Sequence, residues 1–436
     1  MCQGRDGSRM RVWLAHIGEA PIAPRPGNRP MRLGLLAGVL RRQGHEVTWI
    51  SSRFDHGMKQ QRSAEFAVEF EELGIELVLL NGPGYRRNVS LERMWDHWCV
   101  ARSFRAIARE LPRPDVVLAS LPTAELALGL IDEAKRHGAP VLVDVRDWWP
   151  DIFYNVLPDW QRPLARVGLT PLEWMYDRAC SRADGVLGIT PDFMRWGLRR
   201  ARRERGRNDA VFPIGYSRSQ GTEDERRAAT EYWREQGVDL ESKVSRVVFV
   251  GSISNAHDVQ TVARAAALLG ERGTDCEFVF CGDGDMRGKV EEVAGQSERI
   301  CFPGWVDRSM VFELLRASDV GVVPLADRPD FRVSVNNKTT EYLAAEMALL
   351  VSPANSLVGQ LVNEYGCGLA YSWGDDQDLA DRIEESIEDG SRLKTMKRNS
   401  GRLFEEMFDA ERVYPKFANH LMEVAGRFSQ NGSGNN

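Results

Sequence analysis

The sequence predicts an α/β protein made of two Rossmann-like, doubly wound parallel-sheet domains that face a cleft. Three observations lead there. Short apolar runs alternate with amphipathic runs, the pattern of parallel strands wrapped by helices. The alternation breaks over a charged interval at 217–243 and then restarts. The length, 436 residues, exceeds what one core usually organises.

In the first half, strands are expected at residues 11–16, 46–51, 75–80, 116–120, 141–145 and 185–189. Each is short, and most are predominantly apolar, as strands buried on both faces must be. Helices fall between them, among them 30–43, 91–110 and 124–137. Gly44 and Gly138 stand where helix C-terminal caps belong. The join is expected at 212–215, followed by a linker with one surface helix near 223–236. The second half repeats the plan, with strands at 247–250, 277–281, 300–302, 320–324, 349–351 and 368–371. Its helices are expected at 258–272, 286–294, 309–317, 337–346, 356–365 and 376–389. A terminal helix at 410–427 carries Val413, Phe417 and Leu421 on one face. The expected organisation is a disordered extension 1–9 (Met10 fits a start), domains 10–213 and 214–409, a helix 410–428, and a disordered tail 429–436.

Composition excludes several classes. There are 57 Lys and Arg against 63 Asp and Glu, a net charge of −6. A nucleic-acid binder needs a basic field, so none is expected as a partner. The seven cysteines are scattered without a CxxC pair, which fits reduced thiols in a cytoplasmic protein. The richest apolar stretch, 116–131, is interrupted by Ser120, Thr123 and Glu125, so no membrane span is expected.

Ligands of open α/β sheets bind beyond the carboxyl ends of the strands. Four such ends in the second half carry small or polar residues. They are Gly251-Ser252-Ile253-Ser254, Gly282-Asp283-Gly284-Asp285, Gly304-Trp305-Val306 and Pro324-Leu325-Ala326. Glycine there lets backbone N–H groups approach a phosphate, and the following helix points its positive end at it. Lys338 and Glu341, three apart at the start of a helix, share one face. Such a pair can offer an ammonium to a diphosphate and a carboxylate to ribose hydroxyls; a surface ion pair is the plain alternative.

In the first half, Gly27, Asn28 and Arg29 open a helix after the first strand and can hydrogen-bond sugar hydroxyls or phosphate. Arg146, Asp147, Trp148 and Trp149 end the fifth strand. The tryptophans offer a flat apolar surface for sugar rings, and Asp147 can orient an acceptor hydroxyl. His16, Asp55 and His56 also follow strands and are further candidates for the cleft. Residues 195–207 hold seven arginines. They read either as a solvated helix face or as a dock on an anionic membrane anchored by Trp196 and Leu198.

VFVGSIS, FCGDGD, PGWV, ASDVGVVPL and NKTTEYLAAE, in that order, resemble the donor domain of retaining glycosyltransferases of family 4, which have the GT-B fold. RRQGHEVTWISS and VRDWWPD extend the resemblance over nearly the whole chain, nearest to the branch that builds cell-surface polysaccharides. The resemblance implies a nucleotide-diphosphate sugar held by the second domain and a terminal helix crossing back to the first. Glu341 takes the place of the ribose-binding carboxylate, Trp305 and Val306 would frame the base, and Gly251 would let the chain approach the diphosphate. Gly27, Asn28 and Arg29 match the family's loop beneath the sugar and diphosphate. Departures accompany it. The family's phosphate-binding Arg and Lys fall at Ser252 and His257, and its other paired glutamate at Val333. Lys338, and after it Arg332, are the cations left for the leaving diphosphate.

The expected activity is transfer of a sugar, with retention, from a nucleotide-diphosphate sugar to a hydroxyl of a lipid-linked or polysaccharide acceptor. No cofactor and no metal are expected: Asp283-Gly284-Asp285 has a DxD spacing but falls in the glycine turn. The catalytic residues expected are Asp147, Lys338 and Glu341; donor contacts add Gly251, Ser252, Ser254, Gly282, Gly284, Trp305 and Val306. Acceptor contacts are Gly27, Asn28, Arg29, Arg146 and Asp147. A sugar-nucleotide epimerase and a non-catalytic partner subunit are the alternatives.

Overall fold

The computed structural model describes residues 9–23, 29–63, 68–88, 90–218 and 222–433. The chain forms two compact units: residues up to Pro213 together with those from Glu411 onward, and Ile214–Ala410.

The first unit holds a seven-stranded parallel sheet. Its strands are β1 (Arg11–Ala15), β2 (Glu46–Ser52), β5 (Ile75–Leu80), β6 (Val116–Ser120), β7 (Val141–Val145), β8 (Gly185–Gly188) and β9 (Ala210–Val211). A small hairpin pairs β3 (Phe54–Asp55) with β4 (Gln60–Gln61). The order is β5-β2-β1-β6-β7-β8-β9. Chain direction across the sheet reverses between β1 and β6, which makes their carboxyl ends the switch point where such sheets bind ligands. The seventh strand, β9, goes beyond the six-strand reading. Two residues are too few for any periodic signal, and only pairing with β8 defines them.

The last helix, Ala410–Ser433, completes this unit. Phe417 stacks on Phe212 with ring centroids 4.4 Å apart. Gln43 Nε2 donates to Asn419 Oδ1 at 3.0 Å, and His420 Nε2 donates to Asn208 O at 3.0 Å. The helix runs on to Ser433 instead of giving way to a tail at 429. Once nucleated, each further turn adds a hydrogen bond per residue without needing an apolar face.

The second unit holds β10 (Ser245–Val250), β11 (Cys276–Cys281), β12 (Ile300–Gly304), β13 (Val320–Pro324), β14 (Ala348–Ser352) and β15 (Gly368–Ala370). The sheet is parallel, ordered β12-β11-β10-β13-β14-β15. Successive side chains enter opposite core layers. Val248, Val279 and Val323 join one layer, and Val247, Phe249, Phe278 and Phe280 the other. That two-sided burial is why the strands read as unbroken apolar runs. The switch point lies between β10 and β13. The segment expected as a linker contributes to this core: helix Glu223–Glu235 starts on a Thr222 capping box, and Trp233 is fully buried, donating to Met310 O at 2.9 Å.

Candidate functional site

At the switch point of the second unit, helix Asn337–Ala344 begins under an Asn336 cap, whose side chain accepts from Thr339 N at 3.0 Å. Its apolar face, Tyr342 and Leu343, is buried, and Tyr342 accepts from Val250 N at 2.7 Å. This pins the first turn beside the end of β10. Lys338 and Glu341 are both buried at 8% exposure. Lys338 Nζ lies 4.2 Å from the centre of the Phe249 ring and has no hydrogen-bond partner among the described residues. Burial pulls its pKa down to about 7. A Cβ on Gly251 would sit 3.0 Å from that ammonium, so the structure brings together Lys338 and Gly251.

The position where the resemblance expects a lysine holds His257. Its Nδ1 is 3.0 Å from Ser252 O, and its N–H donates to Ser254 O at 3.0 Å. Burial, then the charge of Lys338, lowers its pKa to about 4. The ring is therefore neutral at pH 7. Arg332 forms a two-point pair with Asp327 at 2.5 and 2.8 Å. Of these two cations, Lys338 is the one whose side chain has no hydrogen-bond partner among the described residues.

Three of the glycines in these turns use their own N–H groups inside the fold. Gly251 N donates to Cys281 O at 2.9 Å, Gly282 N to Gly304 O at 2.7 Å, and Gly284 N to Asp283 Oδ1 at 2.8 Å. A Cβ on Gly282 would lie 1.9 Å from Gly251 O, and one on Gly284 2.3 Å from Ile253 O. These glycines lace three strand ends together, and their own N–H groups are already paired. Trp305 is 73% exposed beyond β12, while Val306 packs on the core. A cavity of about 270 Å³ opens beside these turns, lined by Ser254, His257, Asp258, Arg264, Trp373 and others; neither Lys338 nor Glu341 lines it.

In the first unit, Gly27 and Asn28 lie outside the described residues, and Arg29 is half-buried. Arg146 donates to Glu19 at 2.7 Å, and Glu19 also accepts from Leu33 N at 2.8 Å at the start of helix Arg32–Arg42. Arg146 thus steadies that helix end through Glu19. Asp147 is half-buried and accepts from Trp148 N at 2.8 Å. The pair of tryptophans is no open platform: Trp149 is 3% exposed beneath the Arg93 guanidinium at 4.4 Å, and Trp148 packs against Phe193. Asp55 forms its own turn, accepting from Gly57 N and Met58 N and pairing with Arg62.

Around the β1/β6 switch point lies a buried polar cluster. It holds His16, Arg93, His97 and Glu125, with His56 and Tyr85 in contact beside it. Burial, then the nearby cations, lowers the pKa of His56 to about 4 and of His97 to about 3, and His16 well below its usual value. Burial raises Glu125 to about 7. Sequence reasoning points to His16 and His56 but not to Arg93, His97, Glu125 or Tyr85. A signal exists: Arg93 and His97 repeat at helical spacing with Val100 and Phe104, placing polar groups on an apolar face.

The basic stretch 195–207 is not a membrane dock of the expected kind. Trp196 and Leu198 are 3% and 7% exposed, so neither can anchor. Arg200 pairs with Asp151 and Asp177, and Arg203 with Asp209.

Two family models match the chain in succession: "Glycosyl transferase 4-like domain" over residues 31–213 and "Glycosyl transferases group 1" over residues 244–389. The chain is 24% identical over 160 residues to the α-D-kanosaminyltransferase of Streptomyces kanamyceticus. That match covers 36% of this chain and 40% of the relative. Among solved structures, sucrose-phosphate synthase from Thermosynechococcus elongatus aligns with a TM-score of 0.70 at 16% identity, covering 96% of this chain and 100% of that one. Anabaena Alr3699/HepE in complex with UDP-glucose aligns with a TM-score of 0.63 at 14% identity, covering 95% and 100%. The fold is GT-B.

Proposed function

We propose that this chain, matched in succession by two glycosyltransferase domain models, is a GT-B glycosyltransferase that moves a sugar from a nucleotide-diphosphate donor to a hydroxyl of a lipid-linked or polysaccharide acceptor. We assign it to family 4, with retention at the anomeric carbon and a role in cell-surface polysaccharide synthesis. The observation that carries the reading is the buried, unpartnered ammonium of Lys338 beside Gly251 at the switch point of the second unit. An ammonium without partners is costly to bury, and a diphosphate oxygen supplies what it lacks. UDP-glucose in the Anabaena structure supports a UDP-sugar as the first donor to test.

Glu341, one turn further along the same helix, receives the ribose hydroxyls. Lys338 offsets charge that builds on the leaving diphosphate, and the departing phosphate oxygen takes the acceptor proton. Catalysis then comes from positioning and electrostatic stabilisation, with Asp147 orienting the acceptor. The proposed reaction uses no metal, so EDTA should leave its rate unchanged.

The test is to incubate the protein with UDP-, GDP-, ADP- and dTDP-sugars, with and without a lipid-linked acceptor, and to read the product's anomeric configuration. Transfer that requires the acceptor is expected. An isomerised sugar from donor alone would make it an epimerase. Nucleotide binding without transfer across an acceptor panel supports a non-catalytic partner subunit. The uncharged His257 and Ser252, standing where the resemblance expects two cations, favour that second reading.

A further inference from the structure

Helix Arg162–Arg182 is 21 residues long, yet its buried side chains begin only at Leu172. Before that point it carries large apolar residues to solvent. Trp160, in the turn leading in, is 78% exposed, Leu164 77% and Val167 73%; Trp174, beyond it, is 58% exposed. The spacing sets Leu164, Val167, Pro171 and Trp174 in one stripe. Arg178 continues the stripe, its guanidinium 5.3 Å from the Trp174 ring. Single exposed apolar residues are ordinary, whereas a contiguous stripe marks an interaction surface.

The charge of the stretch narrows the partner. Residues 160–178 carry three exposed arginines, Arg162, Arg166 and Arg178, against two carboxylates that are already engaged: Glu173 accepts from Tyr154 Oη at 2.7 Å and Asp177 pairs with Arg200 at 2.9 Å. Two copies of the chain meeting through this face would set those arginines against each other, with both carboxylates of the face already taken. An anionic headgroup layer offers phosphates that exposed arginines can meet. No described helix is long and apolar enough to cross a membrane, so this one can only lie along a surface.

We propose that residues 160–178 dock on an anionic lipid surface. Trp160, Leu164, Val167 and Trp174 sit at the boundary between headgroups and acyl chains, where an indole keeps its ring apolar and its N–H wet. Arg162, Arg166 and Arg178 extend to headgroup phosphates along their aliphatic stems. Vesicle binding needs no donor and no turnover, so this inference stands or falls apart from the proposed transfer reaction.

The test is flotation of the full chain with vesicles of phosphatidylcholine alone and of phosphatidylcholine mixed with phosphatidylglycerol. Binding to the mixed vesicles, weakening as salt rises, is expected. Leu164→Ser with Val167→Ser should weaken it by roughly 10-fold or more. Arg162→Glu with Arg166→Glu should remove the preference for anionic vesicles. These positions are exposed, so thermal unfolding of both double variants should match the parent. The inference fails if the parent chain does not float with mixed vesicles, or if the Leu164/Val167 variant floats equally well. It also fails if sedimentation reveals a dimer that the same variant dissociates.

Discussion

Arg32 and Asp144 form a two-point ion pair, at 2.9 and 3.0 Å, with both side chains wholly shielded from water. Burial alone would lower the arginine's pKa, but the charge and hydrogen bonds of Asp144 raise it. The same guanidinium donates to Phe212 O and Pro213 O at 2.9 and 3.0 Å. Removing one partner strands a buried charge. Asp144→Asn should therefore cost about 3–5 kcal/mol, whereas Arg32→Met with Asp144→Leu should cost much less. Denaturant unfolding of the three chains checks the order.

Gly282 is fixed by its neighbour, since a Cβ there would overlap Gly251 O. Gly282→Ala must push two strand ends apart and should lower thermal stability or abolish soluble folding. Gly288, in helix Arg287–Ala294, meets nothing within 4 Å. Gly288→Ala should raise stability by up to about 1 kcal/mol. Equal melting temperatures for the two variants would contradict the lacing of the loops.

The nucleotide site has a pH signature. Lys338 titrates near 7 when its surroundings hold only protein. A bound diphosphate favours the charged form and raises that pKa, so binding takes up a proton above pH 7. Donor affinity should then fall by up to about 10-fold per pH unit above 7. Lys338→Met should bind more weakly and lose the slope. Glu341→Gln should weaken nucleotide binding by roughly 10- to 150-fold, the loss of a hydrogen bond to a charged group. Calorimetry across pH 6–9 reads all of these, and a flat profile in the parent chain removes Lys338 from the phosphate.

Glu125 gives a dependence of the same sign, in stability instead of binding. Burial raises its pKa from 4.5 to about 7. Between those values the folded chain holds a proton that the unfolded chain has released. The stability this confers is complete below about pH 4.5 and lost as pH rises through about 7. Glu125→Gln removes the buried charge, so it should stabilise the chain at pH 8, by at most about 3 kcal/mol, and gain little at pH 4. Thermal scans at the two pH values test the sign.

The two sheets were legible because parallel strands buried on both faces must be largely apolar, and the runs at 116–119 and 320–324 are apolar throughout. Lys338 and Glu341 were legible because helical spacing fixes their common face. What the glycines do was not: Gly251 and Gly282 look alike in sequence whether they cradle a phosphate or press against each other. Trp196 and Leu198 misled for a related reason. A basic helix with apolar residues looks the same whether those residues face lipid or, as here, the core. Arg93 and His97 share a helix face and could be paired from spacing, but Glu125 comes from a different helix, and no local pattern joins it to them.

The strand β9, with Phe212 just after it, is covered by a helix made nearly two hundred residues later. On the ribosome, the second unit is contiguous and can finish first, while the first waits with an uncovered edge for the last stretch to emerge. Closing so long a loop adds little entropy beyond a short one, since the cost grows only with the logarithm of length. The delay is one of order, not of energy. A circular permutant that places residues 411–433 ahead of Arg11 would let the first unit mature before the second is translated.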